Sequence, residues 1–237
     1  TTKNRFLQAP HGCGLGHTGI NALPEIRRVK AQGGWGIVST EQAEIHPSSD
    51  STPYTSLRNW DDQDVPGLRR ISDAIRSEGA IAALQLSHSG LNSINRGVRR
   101  AGIGPGTQQV LEPIPGVPTP FHAQGMTADD IRDFRTWHRE AVERGIQAGF
   151  ELIYVFATQL ISLPGQFLSR HTNGRSDNYG GSFENRLRLL REVTEDALEV
   201  AQGRCAIAVR ATVENLVDED LNDEFGLSTA FGLMGEL

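Results

Sequence analysis

Arg210 closes the run Cys205-Ala206-Ile207-Ala208-Val209-Arg210, a guanidinium at the end of an otherwise apolar stretch. A desolvated guanidinium is costly without an acceptor or anionic partner, so Arg210 must hold an electron-rich ligand group or pair with a carboxylate such as Glu214. Gln85 lies within a second such run, Ile81–Leu86. Its amide can both donate and accept, although a backbone-satisfied side chain is the plainer alternative. His88 follows in Ser87-His88-Ser89-Gly90 and is the titratable group best placed for proton transfer at that strand end. In Ala9-Pro10-His11-Gly12-Cys13-Gly14 a proline without N–H and glycines without Cβ let backbone approach a flat ligand. Thr40-Glu41-Gln42 and Phe156-Ala157-Thr158-Gln159 close two further runs. Gln159 can bind as an amide but takes up no proton near neutral pH. Neither an HExxH pattern nor clustered Cys/His spacing points to a metal. The acidic run Asp61, Asp62, Asp64 is read as helix capping, with Asp64 as N-cap ahead of Val65-Pro66.

The runs that carry these residues are short and continuously apolar, the pattern of strands covered on both faces. Strands are predicted at Arg5–Pro10, Trp35–Thr40, Ile81–Leu86, Leu152–Ala157 and Cys205–Ala211, with helices near Pro24–Gln32, Pro66–Glu78, Ala128–Ala148 and Phe183–Ala201. Thr127 with Asp130 makes a capping pair, and Gly33, Gly79, Gly149 and Gly203 stand just past helix ends. The repeats predict an α/β chain with about the first five β–α units of a (β/α)8 TIM barrel, one partial barrel domain over residues 1–237. One more helix is expected around Leu227–Leu233. An open doubly wound sheet is disfavoured, because Gly12, Gly14 and Gly16 do not have the GxGxxG spacing. Ser89–Met126, rich in Gly and Pro and nearly without period, reads as a long loop over the barrel mouth. With 23 Lys and Arg against 29 Asp and Glu, the net charge of −6 argues against nucleic acid as a partner. No run of about 18 apolar residues suggests a membrane span, and the start carries no signal-peptide pattern, so a cytoplasmic protein is expected. Two cysteines, Cys13 and Cys205, make no disulfide framework.

The segment Asp177-Asn178-Tyr179-Gly180-Gly181-Ser182-Phe183-Glu184-Asn185-Arg186 predicts a tight glycine turn running into a helix capped by Ser182. With Arg188-Leu189-Leu190-Arg191 it resembles the signature of the FMN-dependent Old Yellow Enzyme superfamily, and the chain is most similar to its amine dehydrogenase and N-demethylase branch. That resemblance implies a barrel oxidoreductase moving a hydride between flavin N5 and a small molecule. It implies FMN held by Ala9, Pro10, His11, Gly12, Gln42, Gln85 and Arg210, with Gln85 at the pyrimidine edge and Arg210 at the N1/C2 carbonyl edge. Some relatives bond a cysteine directly after that histidine to the flavin. Gly12 stands there in this chain, and Cys13, one place later, is expected to be a buried, inert thiol, with a thioether link to the flavin as the alternative. Where amine dehydrogenases carry Tyr-x-x-His the chain has Phe156 and Gln159, and Gln42 takes the place of an aromatic cage residue. The catalytic candidates are therefore His88 and Gln159. The branch implies an N-methylated amine as substrate, NAD(P)H or an electron-transfer protein as redox partner, a 4Fe-4S cluster in a further C-terminal part, and a homo-oligomer. An NAD(P)H-dependent ene-reductase and a non-catalytic or truncated barrel are the alternatives.

Overall fold

Five apolar runs become the parallel strands that carry the site, and four amphipathic helices cover their outer face. The computed structural model describes residues 1–52, 56–110, 121–158 and 161–212. In chain order the elements are β1 (Leu7–Gln8), α1 (Leu23–Gln32), β2 (Ile37–Glu44), β3 (Leu57–Arg58), α2 (Val65–Arg76), β4 (Ile81–Ser87), β5 (Gly102–Gly104), β6 (Gln108–Val110), β7 (Phe121–Gly125), α3 (Ala128–Gln147), β8 (Leu152–Ala157), α4 (Leu163–Leu168), α5 (Phe183–Ala201) and β9 (Ala206–Ala211). The main sheet runs β1-β2-β4-β8-β9, all parallel and in chain order, with β3 added beside β2. Sequential parallel strands with helical crossovers on one side form the first part of a (β/α)8 barrel.

Alternation divides the strands between two environments. Ala82, Leu84 and Leu86 of β4 and Ile153, Val155 and Ala157 of β8 join the helices in the main apolar core, with Leu68, Ile71, Phe134, Val142, Leu190 and Val193. Their neighbours Gln85, Tyr154 and Phe156 take the other face, the barrel interior. A Cβ on Gly145 would fall 2.9 Å from Leu84 Cδ2 and 3.1 Å from Ile153 Cδ1, so α3 packs closely on the sheet and a larger residue there would have to displace those side-chain ends.

The regular order breaks once inside β2. Ser39 pairs with Ala83, but Gln42 pairs with Gln85, so β2 carries one extra residue across Thr40 and Glu41. This bulge turns both Glu41 and Gln42 toward the interior, which strict alternation would forbid.

Three expectations need correction. Ser89–Met126 is not a featureless loop: Gly90–Asn92 forms a 3-10 turn, and β5, β7 and β6 form a second sheet, β5 parallel and β6 antiparallel to β7. Strands of three to five residues are too short to show a period. Asp64 does not cap α2 with its side chain. Asp61 caps a preceding 3-10 turn, Asp62–Asp64, and Asp64 Oδ2 accepts from Trp60 N at 2.8 Å. Helix α4 was not foreseen; it is six residues, capped by Ser162 and begun at Leu163-Pro164. The helix expected at Leu227–Leu233 lies outside the described residues. Among the described residues no helix is long and apolar enough to cross a membrane.

Candidate active site

The carboxyl ends of the main strands surround a cavity of about 440 Å³. The turn after β1 supplies Pro10, His11, Gly12 and Gly14, β2 supplies Glu41 and Gln42, β4 Gln85, β8 Phe156, and β9 Arg210. Ser56, Thr158 and Ile161 complete the wall. Its volume lies in the usual range for small-molecule sites, about 300–1,000 Å³.

Register explains how Arg210 reaches inward. It pairs with Phe156 on β8, while Gln85 on the far side of β8 pairs with Tyr154, one inward position lower. The guanidinium therefore crosses the face of β8, 5.3 Å from the Phe156 ring centre, and Nη1 donates to Gln85 Oε1 at 2.7 Å. Among the described residues no carboxylate pairs with Arg210. Glu214, the alternative partner, lies outside them. Gln85 Nε2 has no partner among the described residues. Gln42 sits directly opposite Gln85 and donates through Nε2 to Ser56 Oγ at 3.0 Å.

Glu41 is 1% exposed, and its Oε2 accepts from Cys13 N at 3.0 Å and Sγ at 3.4 Å. Burial pushes the Cys13 thiol up, and the nearby Glu41 charge adds to that shift, so the sulfur is a protonated donor and a poor nucleophile. The counter-charge to Glu41 is Arg27 of α1, itself 1% exposed, whose Nη2 donates to His11 O at 3.0 Å. Burial lowers the Arg27 pKa while the Cys13 and Glu41 charges oppose that shift. Arg27 was missed because its helical position looks like a solvated face. The only sequence signal was a strand-end glutamate in need of a cation.

His88 does not reach the cavity. It is buried behind the strand, Nδ1 accepting from Gly90 N at 3.0 Å and Nε2 lying 3.0 Å from Ser48 Oγ. It stacks 6.2 Å from Trp137 and meets Phe134 edge-on, and burial followed by the charge of His46 drives its pKa down to about 3. A neutral imidazole with both nitrogens engaged is no general acid or base, which corrects the catalytic role expected for it. It follows β4 at the point where the chain turns outward, and sequence position could not show that turn. Gln159 lies outside the described residues. Ala9 precedes the lining turn and does not itself line the cavity.

The Asp177–Arg186 segment ties off the loop into α5. Ser182 Oγ accepts from Asn185 N at 3.3 Å, Gly181 has φ +79°, and Tyr179 N donates to Asp177 Oδ1 at 3.0 Å. Arg186 is fully buried, and its Nε donates to Leu168 O at 2.8 Å while Nη1 donates to Gly181 O. None of these residues lines the cavity.

Comparison with known proteins places this geometry. Dimethylamine dehydrogenase of Hyphomicrobium sp. (strain x) is 32% identical over 219 residues, covering 91% of this chain and 29% of that protein. NADPH dehydrogenase of Bacillus pumilus is 29% identical, covering 84% of this chain and 56% of that protein. Histamine dehydrogenase from Rhizobium sp. 4-9 superposes with a TM-score of 0.84 at 40% identity, covering 89% of this chain and 32% of that one. The chain thus spans less than two thirds of the length of each. The pattern of the NADH:flavin oxidoreductase / NADH oxidase family matches residues 1–236, and the chain belongs to that family of FMN-dependent oxidoreductases.

Proposed function

We propose that the cavity holds FMN and that residues 1–237 are the flavin-binding barrel portion of an enzyme oxidising an N-methylated amine. The Arg210–Gln85 pair carries this reading. Arg210 brings positive charge to the cavity wall without a carboxylate among the described residues, and Gln85 leaves an amide N–H unpartnered beside it. A ring edge of alternating carbonyl and N–H groups satisfies both. Pro10, His11 and Gly12 offer backbone for the flat ring, with Ala9 leading into the turn, and Gln42 stands opposite Gln85.

FMN, when bound, exchanges a hydride with a small molecule on its face. The chain's own contribution is electrostatic: Arg210 favours electrons on the ring it holds. Cys13 is occupied with Glu41, so the flavin is held non-covalently. The amine assignment is supported by similarity to dimethylamine and histamine dehydrogenases. Phe156 is engaged by Arg210 and Gln42 is no aromatic, so they form no cage for a quaternary ammonium, and a substrate nitrogen bearing N–H fits better. NAD(P)H or an electron-transfer protein serves as redox partner. Anaerobic mixing of the full-length, FMN-loaded protein with simple N-methylated amines tests the assignment. Bleaching of the flavin band is the expected result. Bleaching by NADPH alone, reversed by an activated alkene, would move the chain to the ene-reductases, and failure to retain FMN would leave only a scaffold.

A further inference from the structure

An amine is protonated at neutral pH, and its nitrogen must regain a lone pair before hydride can leave the adjacent carbon. Neither residue expected to do chemistry accounts for that proton: His88 is walled off, and a glutamine is not a base. Glu41 binds Cys13 through Oε2 and keeps a buried Oε1 unpartnered among the described residues, but it faces the buried charge of Arg27, so neutralising it would leave a buried cation alone.

A continuous hydrogen-bonded chain leaves the cavity elsewhere. Ser56 lines the wall, and its Oγ accepts from Gln42 Nε2 at 3.0 Å and lies 3.1 Å from Ser51 Oγ. Ser51 Oγ donates to Glu44 Oε1 at 2.5 Å, and Ser51 N donates to the same oxygen at 3.0 Å. Glu44 is 2% exposed and lies two residues beyond Gln42 on the same strand face. Because Ser51 spends its single hydroxyl proton on Glu44, Ser56 is the donor in the Ser56–Ser51 contact, and both O–H groups point toward Glu44. The remaining lone pair of Ser56 is left for a donor in the cavity.

We propose that Ser56 and Ser51 carry the substrate's proton out of the cavity to Glu44. The direction of travel rests on the amine reading above. The ammonium N–H bond breaks and nitrogen keeps the electron pair. Ser56 Oγ gains that proton and passes its own to Ser51 Oγ, and Ser51 passes its proton to Glu44. The net change is ammonium plus carboxylate to amine plus carboxylic acid, with no electron exchanged with the protein. Glu44 acts through the two serines and is a positioning residue by that measure. Burial pushes its pKa up to about 7, the Asp50 charge adding to the shift while Ser51 and, more weakly, Arg58 on β3 oppose it; its register partner on β4 is the neutral Ser87.

The isosteric Glu44→Gln and the cut-path Ser51→Ala, both in the full-length FMN-loaded protein, test this. Amine-driven flavin reduction in the wild type should quicken as pH rises through about 7. Both variants should lose that limb and slow by about 100-fold or more. A wild-type limb and rate in Glu44→Gln would overturn the proposal. An infrared carboxyl band, identified by its loss in Glu44→Gln, gives a readout independent of turnover. It should titrate near neutrality and move in Ser51→Ala, and a band indifferent to Ser51 would overturn the path. If amines fail to reduce the wild-type flavin, the amine reading falls, and the infrared result alone decides whether the path exists.

Discussion

At the residue scale, the site depends on one cation reaching across a strand. Arg210→Ala should weaken FMN retention and lower the flavin's reduction potential, because it removes the positive charge and leaves Gln85 Oε1 without its donor. Dialysis and a redox titration measure both, and an unchanged potential at unchanged affinity would remove Arg210 from the site. Acid precipitation of the holoprotein should leave yellow colour in the supernatant, since the Cys13 sulfur is a hydrogen-bond donor to Glu41. Colour in the pellet would contradict that. That Gln85, Arg210 and the Pro10–Gly12 turn line one cavity was legible because each ends or interrupts an apolar run. Arg27, Glu41 and Glu44 were not. Their meaning depends on pairings across the sheet that no local spacing encodes, and the bulge at Thr40 and Glu41 shifts the facing of the whole strand end by one residue.

At the element scale, α3 and α5 are joined by charge as well as by apolar packing. Arg135 Nε and Nη2 donate to the two oxygens of Asp196 at 2.8 and 3.1 Å, and Arg139 Nη1 adds a bond at 2.9 Å. The Asp196 side chain is 7% exposed, whereas the arginines are about one-third exposed and can rehydrate. Asp196→Asn should therefore cost about 1.5–3 kcal/mol, the range for hydrogen bonds to a charged group, read as a lower denaturant midpoint at unchanged slope. A change inside 0.5 kcal/mol, the scatter of ordinary surface substitutions, would show the pair to be ornamental. The long elements were legible because their periods are long enough to count. The elements that were missed, α4, β3 and the β5-β7-β6 sheet, are all six residues or fewer, too short to show a period, and the strands among them are defined by long-range pairing.

At the scale of the whole molecule, three buried or half-buried imidazoles set the acid limit. Burial is the main cause in each case, lowering His46 and His138 to about 4 and His88 to about 3 from 6.5. The unfolded chain takes up these protons first, so the stability they preserve is fully present above pH 6.5 and is lost as pH falls toward 4. Each group contributes at most about 1.4 kcal/mol per pH unit. Denaturation midpoints should level off above about pH 7, where Glu44 and the histidines no longer titrate, and fall toward acid pH, with a shallower fall in His138→Gln. An equal slope in that variant would clear His138 of the effect. Glu44 works in the opposite sense, costing stability as pH rises from 4.5 through about 7. The His46 ring lies flat on Trp137 at 3.6 Å and 3° between planes. That stack makes the indole an internal lamp: its emission should dim when acid places an imidazolium against it, and the dimming should come before the spectral shift that marks unfolding.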